Sequence, residues 1–209
     1  MAEQPKKRRS RIRERNEESI LKAAEITFAR RGFGAATTAE IAKTAGIPKA
    51  NLHYYFNTKE DLYTRVLENI LTTWLRAAED FDEDHEPREA LESYIRTKVE
   101  LSRTRPEASK IFAKEIISGA PFLKTHLIND INPWMQKKRQ IIQGWIDAGK
   151  MAPVDVEHLF FLIWSMSQTY ADFSTQMEIV LQKDELQEND YRKAADMIVS
   201  MVFFLCKLN

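Results

Sequence analysis

A short segment of the chain carries side chains that could hydrogen-bond to a nucleic acid: Lys49, Asn51, His53, Tyr54 and Tyr55. Lysine and asparagine can match the acceptors and donors on the edges of guanine and adenine, so Lys49 and Asn51 are the candidates for reading bases. The tyrosine hydroxyls, the histidine and the nearby Lys59 can donate to phosphate oxygens, which fixes the register on a duplex. Exposed aromatic side chains are costly on a surface unless they contact something. The alternative is that one tyrosine belongs to the core and that the histidine is a solvated surface group.

The residues that surround this segment predict a helix-turn-helix, TTAEIAKTAGIPKANLHYYF, over residues 37–56. Thr37 and Glu40 have the spacing of a capping box, which starts the first helix. Gly46 supplies a left-handed turn, and the proline two residues later restarts the chain as a short second helix whose Leu52 faces the core. A helix this short can lie across a major groove, and the segment is therefore predicted to bind DNA.

The distribution of charge also indicates that one end of the chain meets a polyanion. The chain has no net charge, but residues 1–60 hold 13 Lys/Arg against 7 Asp/Glu, and the remainder carries the opposite excess. Seven of the basic residues fall between positions 6 and 15, against a single acid, Glu14. We expect residues 1–14 to form a flexible basic arm that follows phosphates or enters the minor groove and gives binding a steep salt dependence. The alternative is a nonspecific solubilising tail.

The elements that must position these residues are predicted to be helices. Apolar residues recur at spacings of three and four, alternating β-branched runs are absent, and glycine is limited to six residues. The fold class is therefore all-α, with a helix-turn-helix domain over 15–60 and a larger helical body over 61–209. A second helix cap is placed at Asn57, with Glu60 three residues on, and Pro133 is expected to kink or split its helix. Helices are predicted at about 16–31, 37–45, 48–55, 57–81, 87–105, 107–118, 121–149, 155–182 and 189–207.

Composition excludes several classes of protein. A single cysteine, Cys206, cannot form an intramolecular disulfide and fits a reducing compartment. No stretch approaches the ~18 apolar residues of a membrane helix, and no apolar segment follows the basic N-terminus, so we expect a cytoplasmic protein. We find no phosphate loop, no spaced set of metal ligands and no nucleophile–base set, which predicts a protein that is not an enzyme and that needs no cofactor or metal.

The predicted body contains a polar insertion within an apolar helix, WSMSQTYAD over residues 164–172. Trp164 and Gln168 lie four residues apart and share a helix face, so an indole and an amide could hold a flat heterocycle that carries N–H and C=O groups. The helix junction at 114–121, KEIISGAP, should leave free backbone groups beside this face. The alternative is that Gln168 and Ser167 satisfy the backbone or each other within the helix bundle.

Residues 15–65 resemble the DNA-binding domain of the TetR/AcrR family of transcriptional regulators. The resemblance rests on the capped second helix and on AGIPKANLHYYFNTKEDLY leading into a long fourth helix, with Leu52-His53 in place of the usual leucine–tyrosine pair. It implies a TetR-like, ligand-responsive repressor with three DNA-binding helices, an effector-binding body and a homodimer joined by the last two long helices. The helices from about 155 onward are apolar on nearly all sides, which fits such a dimer. The positions that the family turns toward operator DNA are Thr38, Lys49, Asn51, His53, Tyr54, Tyr55 and Lys59.

Two further segments are similar to one subgroup of this family, the regulators of pyrimidine utilisation: YIRTKVELSRTRPEASKIFAKEIISGAP and GWIDAGKMAPVDVEHLFFLIWSMSQTYADFSTQ. The similarity implies uracil as the effector. Our own hypothesis is that the effector packs between the 107–121 junction and the Trp164–Gln168 face, and that its binding shifts the fourth helix, residues 59–81, and lowers operator affinity. The ligand contacts that the similarity implies are Trp164, Gln168, Ser118, Gly119, Ala120 and Tyr170. A regulator of a different small-molecule pathway and an architectural DNA-binding protein without an effector are the alternatives.

Overall fold

The computed structural model describes the backbone of residues 5–79, 81–82 and 84–208, and the side chains from Arg13 onward within these ranges. Throughout this part the regular elements are helical, which confirms the predicted all-α class. A π-helical turn at Leu127–Ile131 joins α7 to α8. None of the described helices is long and apolar enough to cross a bilayer. In chain order the helices are α1 Pro5–Ala35, α2 Thr38–Thr44, α3 Lys49–Tyr55, α4 Lys59–Arg76, α5 Pro87–Thr104, α6 Pro106–Ile117, α7 Lys124–His126, α8 Asn132–Asp147, α9 Val156–Asp172, α10 Ser174–Leu181 and α11 Glu188–Cys206.

Helix α1 is longer than the sequence indicated. It begins at Pro5 rather than near Asn16, so the backbone of residues 5–14, predicted as part of a flexible arm, is helical. No glycine or proline follows Pro5 until Gly32, and the lysine, arginine and glutamate residues between them favour a helix. Gly32 has φ 72° and ψ 164°, which interrupts the helix where its end was predicted. The side chains of the basic residues at positions 6–11 lie outside the described part of the chain.

Helices α2 and α3 form the predicted helix-turn-helix. Thr37 caps α2, since its side chain accepts a hydrogen bond from the Glu40 amide at 3.1 Å. The predicted capping box is not closed, because the Glu40 carboxylate accepts from Arg31 at 3.3 Å instead. Gly46 has φ 69°, the left-handed conformation that its turn requires. The fully buried Leu52 then anchors α3 in the same core as α1 and α2.

Helix α4 begins one residue later than predicted. Thr58, and not Asn57, is its cap: the Thr58 side chain accepts from the Asp61 amide at 3.0 Å, and the Asp61 carboxylate accepts from the Thr58 amide at 3.2 Å. The capping box therefore uses Asp61 rather than Glu60. The helix ends at Arg76, short of the predicted end near residue 81, and a series of turns follows it.

Two helices predicted in the body are each divided. The predicted helix over 121–149 begins at Lys124 and contains a π-helical turn directly before α8, next to Pro133, where the sequence predicted a kink or a split. Pro133 lies in the first turn of α8, where its missing N–H leaves no hydrogen bond unmade. The single helix predicted over 155–182 is wrong, because the chain leaves helical geometry at Phe173, with φ −117° and ψ 26°. Neither glycine nor proline marks that break in the sequence.

Two clusters of buried apolar side chains meet near the C-terminal end of α4. The first joins α1, α2 and α3 to most of α4 and to Ala108 and Ile111 of α6. The second surrounds α5, α8, α9 and α11 and includes Phe81, just beyond the end of α4. Lys138 of α8 fixes that end, since its ammonium donates to the carbonyls of Ala78 and Phe81, each at 2.6 Å. Because close-packed interiors transmit displacements, a movement of α4 affects the first cluster directly and the second through the residues that follow it, Ala78 and Phe81.

Candidate nucleic-acid interface and effector cavity

Helix α3 presents its polar side chains to solvent. Leu52 of α3 is buried, and so is Phe56, the residue that follows the helix. These two residues fix the inward side of α3 and leave its opposite side exposed to solvent. Tyr54 is 72% accessible there. Such a surface supplies hydrogen-bonding groups both for base edges and for phosphate oxygens. The predicted DNA-facing residues that are exposed on α3 are Lys49, Asn51, His53 and Tyr54.

Tyr55 is half-buried and links α3 to α1. Its hydroxyl accepts from Asn16 Nδ2 at 3.1 Å, and its ring meets Tyr54 edge-on, with a centroid distance of 5.3 Å. The Arg13 guanidinium lies 5.9 Å from the centre of the Tyr54 ring. The basic N-terminal part of α1 therefore lies beside α3, and Asn16, which the sequence did not single out, orients Tyr55. Tyr55 also packs partly against the core, as the alternative for one tyrosine anticipated.

Lys59 is fully hydrogen-bonded within the protein. Its ammonium donates to the carbonyls of Phe33, Gly34 and Ala36, at 2.8, 3.3 and 3.1 Å, and lies 4.5 Å from the centre of the Phe33 ring. An ammonium has three protons, and these three carbonyls can use all of them. The geometry therefore favours a clamp between α4 and the end of α1 over the predicted phosphate contact. Thr38, the first residue of α2, is half-buried.

A cavity of about 60 Å³ lies in the body between α4, α5, α6, α8 and α9. Helix α4 contributes Trp74, α5 contributes Tyr94 and Lys98, and α9 contributes Trp164 and Gln168. Trp164 and Gln168, the pair predicted on α9, therefore line the same cavity. The sequence did not identify the other three residues, because they come from helices that only the tertiary structure places opposite α9.

The polar groups of the cavity are incompletely paired. Trp164 Nε1 donates to the Tyr94 hydroxyl oxygen at 2.7 Å, which leaves the Tyr94 proton available to another acceptor. Ser167 donates to the Ile163 carbonyl at 2.7 Å, as the alternative for the polar insertion predicted. Among the described residues, however, the Gln168 amide has no hydrogen-bond partner. A hydroxyl donor and an amide that both donates and accepts therefore face the same space.

Lys98 is a buried lysine that the sequence analysis missed. It is 4% exposed, yet within the described part of the chain its ammonium forms neither a hydrogen bond nor an ion pair. Its Nζ lies 4.6 Å from the centre of the Trp74 ring, at the wall of the cavity. Burial lowers the pKa of Lys98 to about 8, and the Asp172 carboxylate partly opposes this shift. The signal in the sequence was a lysine on the otherwise apolar side of α5.

The junction after α6 does not reach the cavity, so its predicted ligand contacts are corrected. Ser118 and Gly119 are exposed, and Ala120 packs into the cluster formed with α1 to α4. The junction also has no shortage of hydrogen bonds, because the Glu115 carboxylate accepts from the two backbone N–H groups that follow Pro121, at 2.7 and 3.1 Å. The Glu115 side chain of α6 thus accepts the backbone hydrogen bonds that a ligand was expected to accept.

Tyr170, the remaining predicted ligand contact, also lies away from the cavity. Its ring is 6.2 Å from that of Tyr191 on α11. Two residues along an α-helix correspond to a rotation of about 200°, so Tyr170 and Gln168 must face nearly opposite directions. The structure therefore brings together only Trp164 and Gln168 of the six predicted ligand contacts.

Helix α6 connects the cavity with the DNA-binding helices. Its Phe112 lines the cavity, and its Lys114 donates to the Ala29 carbonyl of α1 at 3.0 Å. Arg105, directly before α6, pairs with Glu25 of α1 at 2.5 Å and donates to Thr73 of α4 at 3.1 Å. Helices α4 and α6 thus both touch the cavity and both hold α1, which gives two paths from one site to the other.

Comparison with known proteins gives consistent results over residues 20–209. A family profile described as bacterial regulatory proteins of the tetR family matches residues 20–66, and one described as the C-terminal region of YcdC-like proteins matches residues 67–209. The HTH-type transcriptional regulator RutR of Escherichia coli strain K12 is 44% identical over 173 residues, which span 83% of this chain and 82% of RutR. The HTH-type transcriptional regulator QacR of Staphylococcus aureus is 39% identical over 57 residues, 27% of this chain and 30% of QacR.

Solved structures agree on the fold. The ketosteroid transcriptional regulator KstR2 of Mycobacterium tuberculosis superimposes with a TM-score of 0.70 at 18% identity, covering 91% of this chain and 94% of KstR2. At that identity the likeness concerns the fold alone. The proteins that this chain resembles are regulators of transcription and not enzymes, as the sequence predicted.

Proposed function

We propose that this chain, which belongs to the TetR family of bacterial regulatory proteins, is a homodimeric repressor that a pyrimidine such as uracil releases from its operator. Family membership establishes a transcriptional regulator with a DNA-binding helix-turn-helix. The observation that carries the rest is the cavity, where aromatic faces and unpaired polar groups meet beside α4. Because α4 also packs against the helix-turn-helix, an occupant of the cavity can influence DNA binding.

The proposed contacts with DNA divide by chemistry. Lys49 and Asn51 read base edges from the exposed side of α3, since a lysine suits guanine acceptors and an asparagine suits adenine. His53 and Tyr54 donate to phosphates on the flanks, and Thr38 does so at the start of α2.

The two remaining predicted residues, Tyr55 and Lys59, act indirectly. The half-buried Tyr55 orients α3, and Lys59, the first residue of α4, clamps α4 to the end of α1.

The homodimer is supported by an apolar stripe that one protomer leaves exposed on α9 and α11. On α11 its members recur at spacings of three and four residues and so form one line along the helix, and two consecutive residues of α9 extend it. An apolar patch of this extent on a protein surface marks an interface, and a two-fold axis would bury each residue in both copies. Two recognition helices held in this way would face half-sites about one DNA turn apart. The stripe consists of Phe161, Leu162, Met197, Met201, Phe204 and Leu205, each between 48% and 88% accessible.

The polar groups of the cavity favour a pyrimidine with two carbonyls. Because the Tyr94 oxygen already accepts a hydrogen bond from Trp164, Tyr94 acts toward a ligand as a donor, and so does the Lys98 ammonium. The Gln168 amide both donates and accepts. A fitting ligand therefore presents more acceptors than donors, as a ring with two carbonyls on either side of an N–H does. The Trp74 and Trp164 indoles provide apolar faces for a flat ring.

Binding must enlarge the cavity. Its volume is about 60 Å³, whereas a cavity that holds a six-membered ring measures roughly 150 Å³. Lining side chains must therefore move, and Trp74 on α4 and Phe112 on α6 belong to the two helices that hold α1. An open cleft of about 560 Å³ between α4 and α8 shares Leu75 and Trp134 with the cavity, so space for this movement lies on that side. A shift of α4 would change the spacing of the recognition helices, with a coupling free energy of ~1–3 kcal/mol.

The proposal is tested by selecting an operator from a random DNA library and measuring its affinity by fluorescence anisotropy at increasing uracil concentrations. We expect saturating uracil to weaken binding by roughly 5- to 150-fold, and cytosine and adenine to leave it unchanged. Gln168→Leu is the matched variant, which should keep operator affinity and lose the response to uracil.

Thermal melting separates the ways in which the proposal could be wrong. A ligand that binds only the native state raises the melting temperature. If uracil leaves the melting temperature unchanged, it is not the effector. If uracil raises the melting temperature but operator affinity stays constant, the coupling through α4 is wrong. A selection that enriches no sequence would contradict operator recognition itself.

A further inference from the structure

We propose that Lys98 makes the cavity select a planar ring compound in its anionic form, with the negative charge on the atoms that face the ammonium. This inference rests on the proposed function, because uracil becomes such an anion when a ring N–H loses its proton. It goes further by naming the ionisation state that is bound and the residue that selects it.

The first support is the isolation of the Lys98 charge. The side chain is 4% exposed, and in the described part of the chain it has no hydrogen-bond or ion-pair partner. Its Nζ lies 4.6 Å from the centre of the Trp74 ring, which attracts a cation but accepts no conventional hydrogen bond. Buried charges in proteins are normally paired, because an unpaired one is strongly disfavoured. A cation held at a cavity wall without a protein partner is therefore placed to pair with a group that arrives with the ligand.

The second support is that none of the acids that the structure describes takes this place. Asp172 on α9 is the acid whose charge acts on Lys98, but the two form no ion pair, and the Asp172 carboxylate accepts from Ser109 of α6 at 2.7 Å. Lys110 of α6 also acts on Asp172, while burial raises the pKa of that carboxyl group. On α5 itself the neighbouring cavity residue is Tyr94, whose pKa is raised by burial, so it stays neutral. Because no described residue supplies the counter-charge for Lys98, we assign it to the ligand.

The chemistry of an imide N–H fits this requirement. Loss of its proton leaves a negative charge shared between the ring nitrogen and the flanking carbonyl oxygens, all of which can accept from an ammonium. When neutral uracil binds as its anion, the proton passes to the buffer and Lys98 keeps its own. Binding should therefore release close to one proton per site at a pH below about 8, where Lys98 is already charged in the free protein. Above that pH the free Lys98 is neutral and takes up the proton that the ring gives up, so the net release disappears.

The experiment is isothermal titration calorimetry at pH 7 in two buffers of different ionisation enthalpy, with uracil and 5-fluorouracil as ligands. For the wild type we expect close to one proton released per site. Affinity should increase by about tenfold for each unit by which the N–H pKa is lowered, so 5-fluorouracil should bind more tightly than uracil. Lys98→Met should release no proton and show no preference, whereas Lys98→Arg should retain both. Lys137→Met, which removes an exposed lysine, is the matched control and should behave as the wild type.

Each outcome decides between the two proposals. If the wild type binds both ligands without proton release, or if Lys98→Met keeps the preference for 5-fluorouracil, anion selection is wrong and the uracil effector stands. If neither pyrimidine binds the wild type, the uracil effector is wrong, and nicotinate, a planar anion, tests Lys98 directly. Nicotinate binding to the wild type and to Lys98→Arg but not to Lys98→Met supports the selection. Its failure to bind, or equal binding to Lys98→Met, overturns it.

Folding of the Lys98→Met variant can be checked in the same preparation. Methionine has a similar shape and no charge, so it fits the wall of the cavity without the desolvation of an ammonium. We expect its melting temperature to equal or exceed that of the wild type without ligand. A variant that melts well below the wild type would contradict the description of Lys98 as an unpaired buried charge.

Discussion

Phe204 offers the sharpest test of the proposed homodimer. Its side chain is 88% accessible in one protomer, the highest value among the exposed large apolar residues of the described chain. Burying a phenylalanine contributes about 1.5–3 kcal/mol, and a two-fold axis buries it once in each copy. Phe204→Ala should therefore weaken the dimer by about 3–6 kcal/mol, or roughly 10²- to 10⁴-fold in its dissociation constant. The protomer itself should keep its stability, because the ring contributes little to its core.

Sedimentation equilibrium over a range of protein concentrations measures this change directly. Ile117→Ala is the matched control, since Ile117 is 83% accessible at the end of α6 but lies outside the stripe. We expect the control to dimerise as the wild type does. A Phe204→Ala dimer as tight as the wild type, or an Ile117→Ala dimer weakened equally, would refute the assignment of the stripe on α9 and α11 as the interface.

Three further substitutions test single residues. Asn51→Ala should cost ~1–3 kcal/mol on operators that keep the base it reads and little on operators changed there, as measured by anisotropy with single-base variants. Lys59→Met should lower the free energy of unfolding by about 1–3 kcal/mol in urea denaturation, because the carbonyls of Phe33 and Ala36 lose a charged donor. Without ligand, the free energy of unfolding of the wild type should rise between pH 8 and pH 10.5. The lower limit is the pKa of Lys98 in the folded protein, and the upper limit is its ordinary pKa. Below this interval the Lys98 ammonium is charged in both states, and its burial costs roughly 3 kcal/mol. Above pH 8 the folded protein loses the proton first, so Lys98→Met should be more stable at pH 7 and show a smaller rise than the wild type. Part of the rise should remain in the variant, because burial also lowers the pKa of Lys138 to about 8.

The contradicting results are equally specific. Equal loss of affinity on every operator variant would remove Asn51 from the residues that read bases. Unchanged stability of Lys59→Met would contradict the clamp between α4 and α1, with Lys137→Met as the control for loss of an exposed charge. A wild-type stability that is constant between pH 8 and pH 10.5 would show that the Lys98 ammonium is solvated or paired.

The helix-turn-helix was predictable because its determinants are local. Gly46 and the proline after Ile47 fix the turn, Leu52 fixes the inward side of α3, and the exposed residues follow from helical periodicity. The caps were less certain, since neighbouring polar residues compete for the same amide: Thr58 caps α4 where Asn57 was expected. The break at Phe173 was missed because no glycine or proline accompanies it.

The sequence by itself determined the all-α fold, the DNA-binding motif and the pair Trp164 and Gln168, since each depends on spacing within one helix. Only the tertiary structure decided what faces that pair. Trp74, Tyr94 and Lys98 come from α4 and α5, and their convergence depends on how those helices pack across the second cluster. The tertiary structure likewise excluded the junction after α6, because Glu115 satisfies its backbone groups. Whether a polar group is paired depends on neighbours distant in sequence, so an unpaired buried charge becomes visible only once the chain has folded.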